Sequence, residues 1–348
     1  PSQDGAGDGP TGATFVVRAY SAEPLRRLLG TPLTLEGTTT VTGEIDSGRK
    51  AFWMKLKSPG IRYASEQLKD IDVRLESNYE SVFATAETKR MMKGKWVTFG
   101  MDTQGHEGKL TTRLYFNNHA QPSYAGDLSI VSRLWKDAEG RQGFDGEILP
   151  SNFLVSDTLW SIHPGSLSYC DKSLRVDSFA VSQGDRFIRL DGRASQLQTD
   201  TLHAQLRRIN LEYIFSLINF HAVELTGEAT GDAYAHSLFS SPKADAYIRI
   251  PRFALNHATM GDLDIHLNWG LRPYSIFIGG NIADGGESLT TVEGYITPKR
   301  DIDYHGLDLY VKAQRVNLAF INKWTAAIFD ALRGSATGWV RIFGGRQR

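Results

Sequence analysis

Two stretches of the chain place acidic residues and a histidine at alternate positions, in the order Asp-x-Asp-x-His. Alternate side chains of an extended strand point to the same face, and carboxylate and imidazole groups are ligands for several divalent ions. A solvated strand face shows the same alternation, and we favour that interpretation, so we predict no metal site and no other cofactor. The two triplets are Asp262, Asp264, His266 and Asp301, Asp303, His305.

Tryptophan side chains could stack on sugar rings, although tryptophans more often lie in a core or an interface. A parallel β-helix that acts on carbohydrate would also show many short strands with exposed aspartates and aromatic residues. Its coils should have a roughly constant length, and the sequence shows no such period. The four tryptophans considered for a sugar platform are Trp53, Trp96, Trp135 and Trp160.

Motifs of enzyme chemistry are missing. The sequence contains no G-x-S-x-G elbow, no G-x-x-x-x-G-K phosphate loop and no H-E-x-x-H pair, and its nine histidines are dispersed. We therefore predict no catalytic residues and no enzymatic activity.

Charge, cysteine content and hydropathy argue against several other classes of protein. Lys and Arg number 39 and Asp and Glu number 39, with no basic stripe, so we expect no nucleic-acid partner. The single cysteine, Cys170, excludes a disulfide within the chain. The longest uncharged apolar stretch, 213–223, is far shorter than the roughly 20 residues of a membrane helix.

Most of the chain alternates apolar and polar residues with a period of two, which predicts strands with one apolar and one polar face. Turn residues such as Gly, Pro, Asp and Ser separate the strands, as in an antiparallel sheet. The apolar positions that we expect on one face are Leu33, Leu35, Phe52, Met54, Leu56, Ile71, Val73, Leu110, Leu114, Ile188, Leu190, Leu202, Leu206, Ile248, Ile250, Leu263, Ile265, Leu267, Leu307, Leu309 and Val311.

A short motif occurs twice. GEATG (227–231) and GSATG (334–338) each begin 17 residues after an asparagine, Asn210 and Asn317. Each asparagine precedes apolar residues at helical spacing, and asparagine is a common helix N-cap. A weaker copy of the pattern begins with a serine cap at Ser21. Together the three copies predict short amphipathic helices near 21–30, 211–221 and 318–332. In the third, the apolar stripe includes Leu318, Ile321 and Trp324.

The motif glycines admit two interpretations, because a residue without a side chain allows close packing or a bend in the backbone. They could mark strands against which the preceding helix folds back, along an open trough. They could equally belong to β-bulges of a closed sandwich whose two apolar faces meet. The four glycines are Gly227, Gly231, Gly334 and Gly338.

The segment VDSFAVSQGDRFIRLDGRASQLQTDTLHAQLRRINLEYI (176–214) resembles the repeating segment of the TamB and AsmA-like family, particularly the Bacteroidetes-type TamB proteins. The likeness rests on the dipeptide Asp191-Gly192, the D-x-L strand from Asp200 to Leu202, the N-L-x-x-I helix start and the G-x-A-x-G strand. SSPKADAYIRIPRF (240–253) resembles the proline-marked strand that usually follows. The likeness extends from about residue 150 to the end of the chain.

The resemblance implies an elongated, twisted, largely antiparallel β-groove, a half-pipe or β-taco with an apolar concave face. With residues 1–12 as a flexible leader, residues 13–348 would be one groove segment, although the sequence does not show whether 13–150 continue the same groove. The family lies in the periplasm, anchored in the inner membrane, and is associated with phospholipid transport to the outer membrane and with outer-membrane biogenesis.

The expected function is therefore that of a lipid-conducting bridge, with phospholipid acyl chains as ligands. A barrel protein of the TamA or BamA type could be contacted through parts outside this segment. The alternatives are a scaffold or chaperone for outer-membrane protein assembly and a β-helix carbohydrate-binding protein. The chain carries no direct sign of the lipid's identity or of its direction of travel.

Overall fold

The computed structural model describes residues 12–23, 26, 33–63, 66–92, 94–212, 224–285, 288–297, 306–325 and 332–344. The chain divides into two compact units, Pro1–Pro164 and Gly165–Arg348. The predicted leader lies almost entirely outside the described residues.

The first unit is an antiparallel meander. Strand β1 pairs with β3, and β3 to β9 then pair in chain order. Strands β10 and β11 both pair with β9, β12 pairs with β11, and the short β2 pairs with β4. The strands are β1 (Gly12–Ala19), β2 (Leu33–Leu35), β3 (Thr39–Asp46), β4 (Ala51–Tyr63), β5 (Glu66–Ser77), β6 (Ser81–Met92), β7 (Lys95–His106), β8 (Lys109–Asn117), β9 (Tyr124–Lys136), β10 (Gln142–Ile148), β11 (Ser151–Val155) and β12 (Thr158–His163).

The second unit is also an antiparallel meander. Strands β13 to β16 pair in chain order, β16 pairs with β18, and β18 to β24 again follow chain order, while the short β17 pairs with β19. The strands are β13 (Gly165–Cys170), β14 (Ser173–Gln183), β15 (Arg186–Ala194), β16 (Thr201–Asn210), β17 (Leu225–Thr226), β18 (Glu228–His236), β19 (Lys243–Leu255), β20 (Ala258–Trp269), β21 (Ile276–Asp284), β22 (Ser288–Thr297), β23 (Gly306–Asn317) and β24 (Ser335–Gly344).

The prediction of a mainly β chain with largely antiparallel strands is confirmed. An antiparallel meander with one apolar face is the arrangement that a β-groove requires. The parallel β-helix alternative is wrong, because the strand pairings in both units are antiparallel and a β-helix is built from parallel strands.

The helical segments are short. A 3-10 helix, Leu318–Ile321, leads into the helix α1, Asn322–Thr325. Residues 326–331 of the predicted third helix lie outside the described residues, as do 213–221 of the second and most of the first. Near Ser21 the serine hydroxyl accepts a hydrogen bond from the Glu23 N–H at 3.1 Å, which is the predicted cap.

The predicted apolar stripe of the third helix is wrong in detail. Trp324 is 53% exposed, and the residues of this segment that pack against the core are Ala319 and Phe320. The first turn is a 3-10 turn, which has three residues per turn in place of 3.6, so the face that it presents differs from that of an α-helix.

The core of the second unit lies at one end of its long strands, under the 3-10 helix. Leu225, Val316, Ala319 and Phe320 pack against it. Its buried members are Leu211, Ala229, Ile250, Phe253, Ala258, Met260, Leu263 and Ile282.

Candidate functional site

One face of the second unit is apolar across ten strands, from β14 to β24. Residues paired in an antiparallel ladder point to the same face, so the strand register defines rows of side chains that cross the sheet. The first row is Val181, Ile188, Leu206, Gly231, Ile248, Ile265, Gly280, Val292, Val311 and Val340. The second is Phe179, Leu190, Ala204, Ala233, Ala246, Leu267, Ile278, Gly294, Leu309 and Ile342. We call this surface the apolar face.

Most of the apolar face is half-buried, which indicates that no second sheet of the same unit packs on it. Ile265 and Leu267, in the middle of the rows, and Leu309, near one end, keep part of their surface open. A sandwich partner sheet would interdigitate with such side chains and bury them fully. Among the described residues, Ile250 is one of the few large side chains that are fully buried, at 2% exposed, and it lies in the core at the end of the strands. The closed-sandwich alternative therefore does not describe this unit.

The core closes one end of the apolar face. Asn256, itself buried, donates from its side-chain amide to the carbonyl oxygen of Phe320 at 3.0 Å, and Lys323 forms an ion pair with Glu224 at 2.8 Å. These contacts hold the 3-10 helix and α1 over the core. The helical segment is thus a wall at one end of the face and leaves the rest open.

The first unit has a comparable apolar row across eight strands, from β1 to β9. Leu114 and Val17 in it are exposed, and the residues between them are half-buried. The row consists of Val17, Val41, Leu56, Val73, Ala86, Met101, Leu114 and Leu128.

The structure places nearly all of the predicted groove residues on the apolar side of their own unit. Leu33 and Leu35 are different, since they pair with Tyr63 and Ile61 beyond the ends of the rows. Ile250 and Leu263 have the predicted orientation, but both are buried in the core. The predicted positions that remain on the open rows, or directly beside them, are Phe52, Met54, Leu56, Ile71, Val73, Leu110 and Leu114 in the first unit, and Ile188, Leu190, Leu202, Leu206, Ile248, Ile265, Leu267, Leu307, Leu309 and Val311 in the second.

Sequence reasoning missed other members of the rows. Ile278 and Val292 belong to the apolar face of the second unit, and Met101 to that of the first. In β21 the pair Gly279-Gly280 interrupts the alternation that would have revealed Ile278. The strand pairing would have identified these residues, because each is paired with apolar positions or glycines of the neighbouring strands.

The opposite face of the second unit is polar and is held by ion pairs and stacked rings. Arg341 binds Asp308 with two N–H donors, at 2.8 and 3.0 Å. The rings of Tyr247 and His266 stack with centroids 4.5 Å apart, and those of His203 and Tyr234 with centroids 4.6 Å apart. This face therefore presents charge and aromatic edges to water.

The repeated motif builds the same backbone junction twice. In one copy the Leu211 N–H donates to the carbonyl of Gly227 at 3.0 Å, and in the other the Leu318 N–H donates to Gly334 at 3.0 Å. Each preceding asparagine side chain accepts from the N–H two residues later, at 2.8 Å for Asn210 and 3.0 Å for Asn317. The predicted asparagine caps are confirmed.

A β-bulge lies on the strand that faces each copy, opposite the threonine of the motif. The motif glycines lie beside these bulges, whereas the alternative interpretation placed them within the bulges. Arg208 and Arg315 adopt positive φ angles of 51° and 56°, and the register shifts beside both. Their N–H groups donate to the hydroxyls of Thr230 and Thr337, each at 3.0 Å. A bulge bends and twists its strand, so the motif marks a place where the sheet curves.

Two further bulges in the second unit follow the same design. Ser178 and Arg252 also have positive φ, at 58° and 50°. Their N–H groups donate to the side chains of Asp191 and Asp262 on the next strand, each at 3.0 Å. At each of the four bulges, the N–H of the residue with positive φ donates to a side chain on the facing strand, and that side chain is next to a glycine in the sequence.

The structure describes the first of the two acidic triplets and the four tryptophans considered for sugar binding. Among the described residues no cluster of metal-binding groups is present, and 301–305 lie outside them. Asp262 of the first triplet accepts the hydrogen bond of the Arg252 bulge. The Arg252 N–H and the Arg249 guanidinium lower the pKa of Asp262. Of the tryptophans, Trp160 is buried, and Trp53 pairs with Glu44 and Glu76 on the polar side.

No helix among the described residues has the length and apolar character needed to cross a bilayer. No family model, curated protein or solved structure matches this chain.

Proposed function

We propose that the apolar face binds the acyl chains of phospholipid and that the chain is a TamB-like segment of a lipid-conducting bridge in the periplasm. The observation that carries the proposal is the uncovered, half-buried apolar surface across ten consecutive strands of the second unit. Soluble proteins rarely leave a continuous apolar surface of this kind open without a ligand or a partner.

The physical chemistry of burial favours lipid on such a surface. Each methylene removed from water contributes about 0.8 kcal/mol. A half-shielded diacyl lipid with roughly 30 methylenes would then gain on the order of 10 kcal/mol relative to water. Because this force is non-directional and the rows repeat from strand to strand, neighbouring positions have similar energies, and a lipid can slide. Transport by this segment requires no chemical turnover.

A pair of charge substitutions on β23 tests the proposal. Leu309→Arg places a cation on the apolar face, whereas Gln314→Arg places the same charge on the exposed opposite face of the same strand. Phospholipid that co-purifies with each protein is quantified by mass spectrometry. Leu309→Arg should lower bound lipid about tenfold, which corresponds to the loss of contact with two methylenes. Gln314→Arg should leave bound lipid unchanged.

Leu309 suits this test better than Ile248 or Ile265, because both isoleucines also pack against the core, and a charge there would destabilise the fold. Far-UV circular dichroism and urea unfolding establish that both arginine variants remain folded. Equal lipid content in wild type and a folded Leu309→Arg protein contradicts the proposal.

A second candidate function, a scaffold for client β-strands, is favoured by the surface of β24. Among the described residues, β24 is hydrogen-bonded to β23 alone. Trp339 is 76% exposed and Phe343 is 73% exposed, and an open strand edge can accept an additional strand. A scaffold would crosslink to polypeptide from β24, whereas a lipid conduit would crosslink to lipid from Leu309.

A further inference from the structure

We propose that the polar face of the second unit carries a binding slot for a neutral or amino-sugar pyranose ring, centred on Gly279. Its walls are His266 on β20 and Glu293 on β22, and its ends are Phe277 and Asn281 on β21. The slot lies on the face opposite to the apolar rows, so it stands independently of the proposed lipid function.

The slot exists because Gly279, which has no side chain, lies between two residues that have one. Gly279 pairs with His266 on one side and with Glu293 on the other. Neighbouring strands lie about 4.8 Å apart, so the two wall residues are roughly 9.6 Å apart. The concavity around this position has a volume of about 650 Å³. A pyranose ring on edge fits between walls with this separation.

One wall is an aromatic stack that ends at the slot. The Tyr247 ring covers one face of the His266 ring, with centroids 4.5 Å apart and planes 3° apart. The next position in the same row belongs to Gly279, so the second face of His266 is turned toward the gap. The Phe277 ring closes one end of the gap and reaches over Gly279, with its plane edge-on to the His266 ring and the two centroids 6.4 Å apart. Flat aromatic surfaces of this kind stack well on the C–H face of a sugar.

The other sides carry hydrogen-bonding groups without partners. Within the described part of the chain, the side chains of Glu293, Asn281 and Thr291 have no hydrogen bond or ion pair. Carboxylate, amide and hydroxyl groups on several sides of the gap match the hydroxyls around the rim of a pyranose ring. These groups distinguish the slot from a purely apolar pocket.

The charge of the lining selects among sugars. Arg249, the cation of the lining, is paired with Asp262 at 3.1 Å and lies 3.9 Å from Asp264, which also lines the slot. Glu293 has no ion-pair partner among the described residues. The remaining negative charge disfavours uronates and phosphorylated sugars and favours neutral or amino sugars.

Two adjacent glycines supply the test and its matched control. Gly279→Val fills the slot, and a Cβ there first meets the Phe277 ring at 3.1 Å, which can move. Gly280→Val adds the same side chain on the apolar face, where a Cβ meets the Asp264 carbonyl at 3.3 Å. Neither glycine has a positive φ, and valine is favoured in strands.

Binding of chitotetraose, chitosan tetramer and cellotetraose to the full chain is measured by saturation-transfer NMR and by calorimetry. We expect wild type to bind at least one of them, Gly279→Val to lose about tenfold or more in affinity, and Gly280→Val to keep wild-type affinity. Glu293→Gln should preserve binding of the neutral sugars and weaken binding of the amino sugar.

Either of two results would contradict the proposed sugar site: wild type binds none of the saccharides, or the two valine variants lose affinity equally. Lipid content is measured on the same samples and should be unchanged in Gly279→Val. Wild-type protein that binds sugar but carries no phospholipid would count against the proposed function alone, so the two failures are distinguishable.

Discussion

At the scale of single residues, the glycines of the repeated motif have different roles in its two copies. A Cβ on Gly231 would lie 2.0 Å from the Tyr247 carbonyl oxygen, because β18 lies between two other strands. A Cβ on the corresponding Gly338 of β24 meets nothing within 4 Å. Both copies have glycine at this position, but the neighbours of each strand decide whether the glycine is required.

We therefore predict that Gly231→Ala lowers the free energy of unfolding by about 3 kcal/mol through overpacking. Gly338→Ala should change it by no more than about 0.5 kcal/mol. Urea unfolding followed by circular dichroism measures both. Equal effects of the two substitutions would mean that backbone crowding is not what requires Gly231.

The threonine hydroxyls of the motif can be tested in the same way. Thr230→Val removes the acceptor of the Arg208 N–H, and we expect a loss of about 1 kcal/mol in the free energy of unfolding. Thr230→Ser keeps the hydroxyl and serves as the control. If the valine variant is as stable as the serine variant, the hydrogen bond does not stabilise the bulge.

At the scale of elements, the bulges and the short helical segment shape the open sheet. Bulges at Ser178, Arg208, Arg252 and Arg315 bend long strands that would otherwise twist uniformly. In the first copy of the motif, the Arg208 side chain forms ion pairs with both Glu228 and Asp185. The bulge is thereby tied to β18 and to the turn before β15.

This ion-pair group predicts an acid-sensitive stability. The hydrogen bond from Arg208 and the charge of Arg186 hold the pKa of Glu228 below its ordinary value of 4.5, and the hydrogen bond from Arg208 holds the pKa of Asp185 below 3.8. A carboxylate whose pKa is lowered by folding stabilises the native state above its unfolded-state pKa. This stabilisation is lost as the pH falls through the folded-state pKa.

We expect the urea midpoint to fall as the pH is lowered from about 5 to about 3. The fall should be smaller in Glu228→Gln, whose amide does not titrate. Glu139→Gln, on an exposed turn of the first unit, is the matched control and should follow wild type. A Glu228→Gln protein with the full acid dependence of wild type would show that this group does not contribute.

The period-two pattern was sufficient to predict the strands and the side of the sheet on which Ile265, Leu267 and Leu309 lie, because that pattern follows directly from strand geometry. It could not predict the bulges at Arg208 and Arg315, since arginine has no preference for positive φ. The polar slot was also not predictable, because it depends on which residues of β20 and β22 are paired with Gly279. Pairing register is a tertiary property that a single strand does not encode.

At the scale of the whole molecule, the account depends on the apolar face being a lipid-binding surface. Each unit presents an antiparallel sheet with an apolar row and an opposite polar side. In the second unit the core closes one end of the face, and the rest is open. The proposed transport requires that acyl chains contact the apolar rows and that the polar side remains in water.

The most direct measurement is photo-crosslinking from single positions on the two faces of the second unit. A benzophenone amino acid replaces Leu267 or Leu309 on the apolar face, or Tyr247 or Tyr310 on the polar face, in cells that make the full chain. Adducts are then identified by mass spectrometry. We predict phospholipid adducts from Leu267 and Leu309 and none from the two tyrosine positions. Lipid adducts that are absent from the leucine positions, or equally abundant from both faces, would contradict the account.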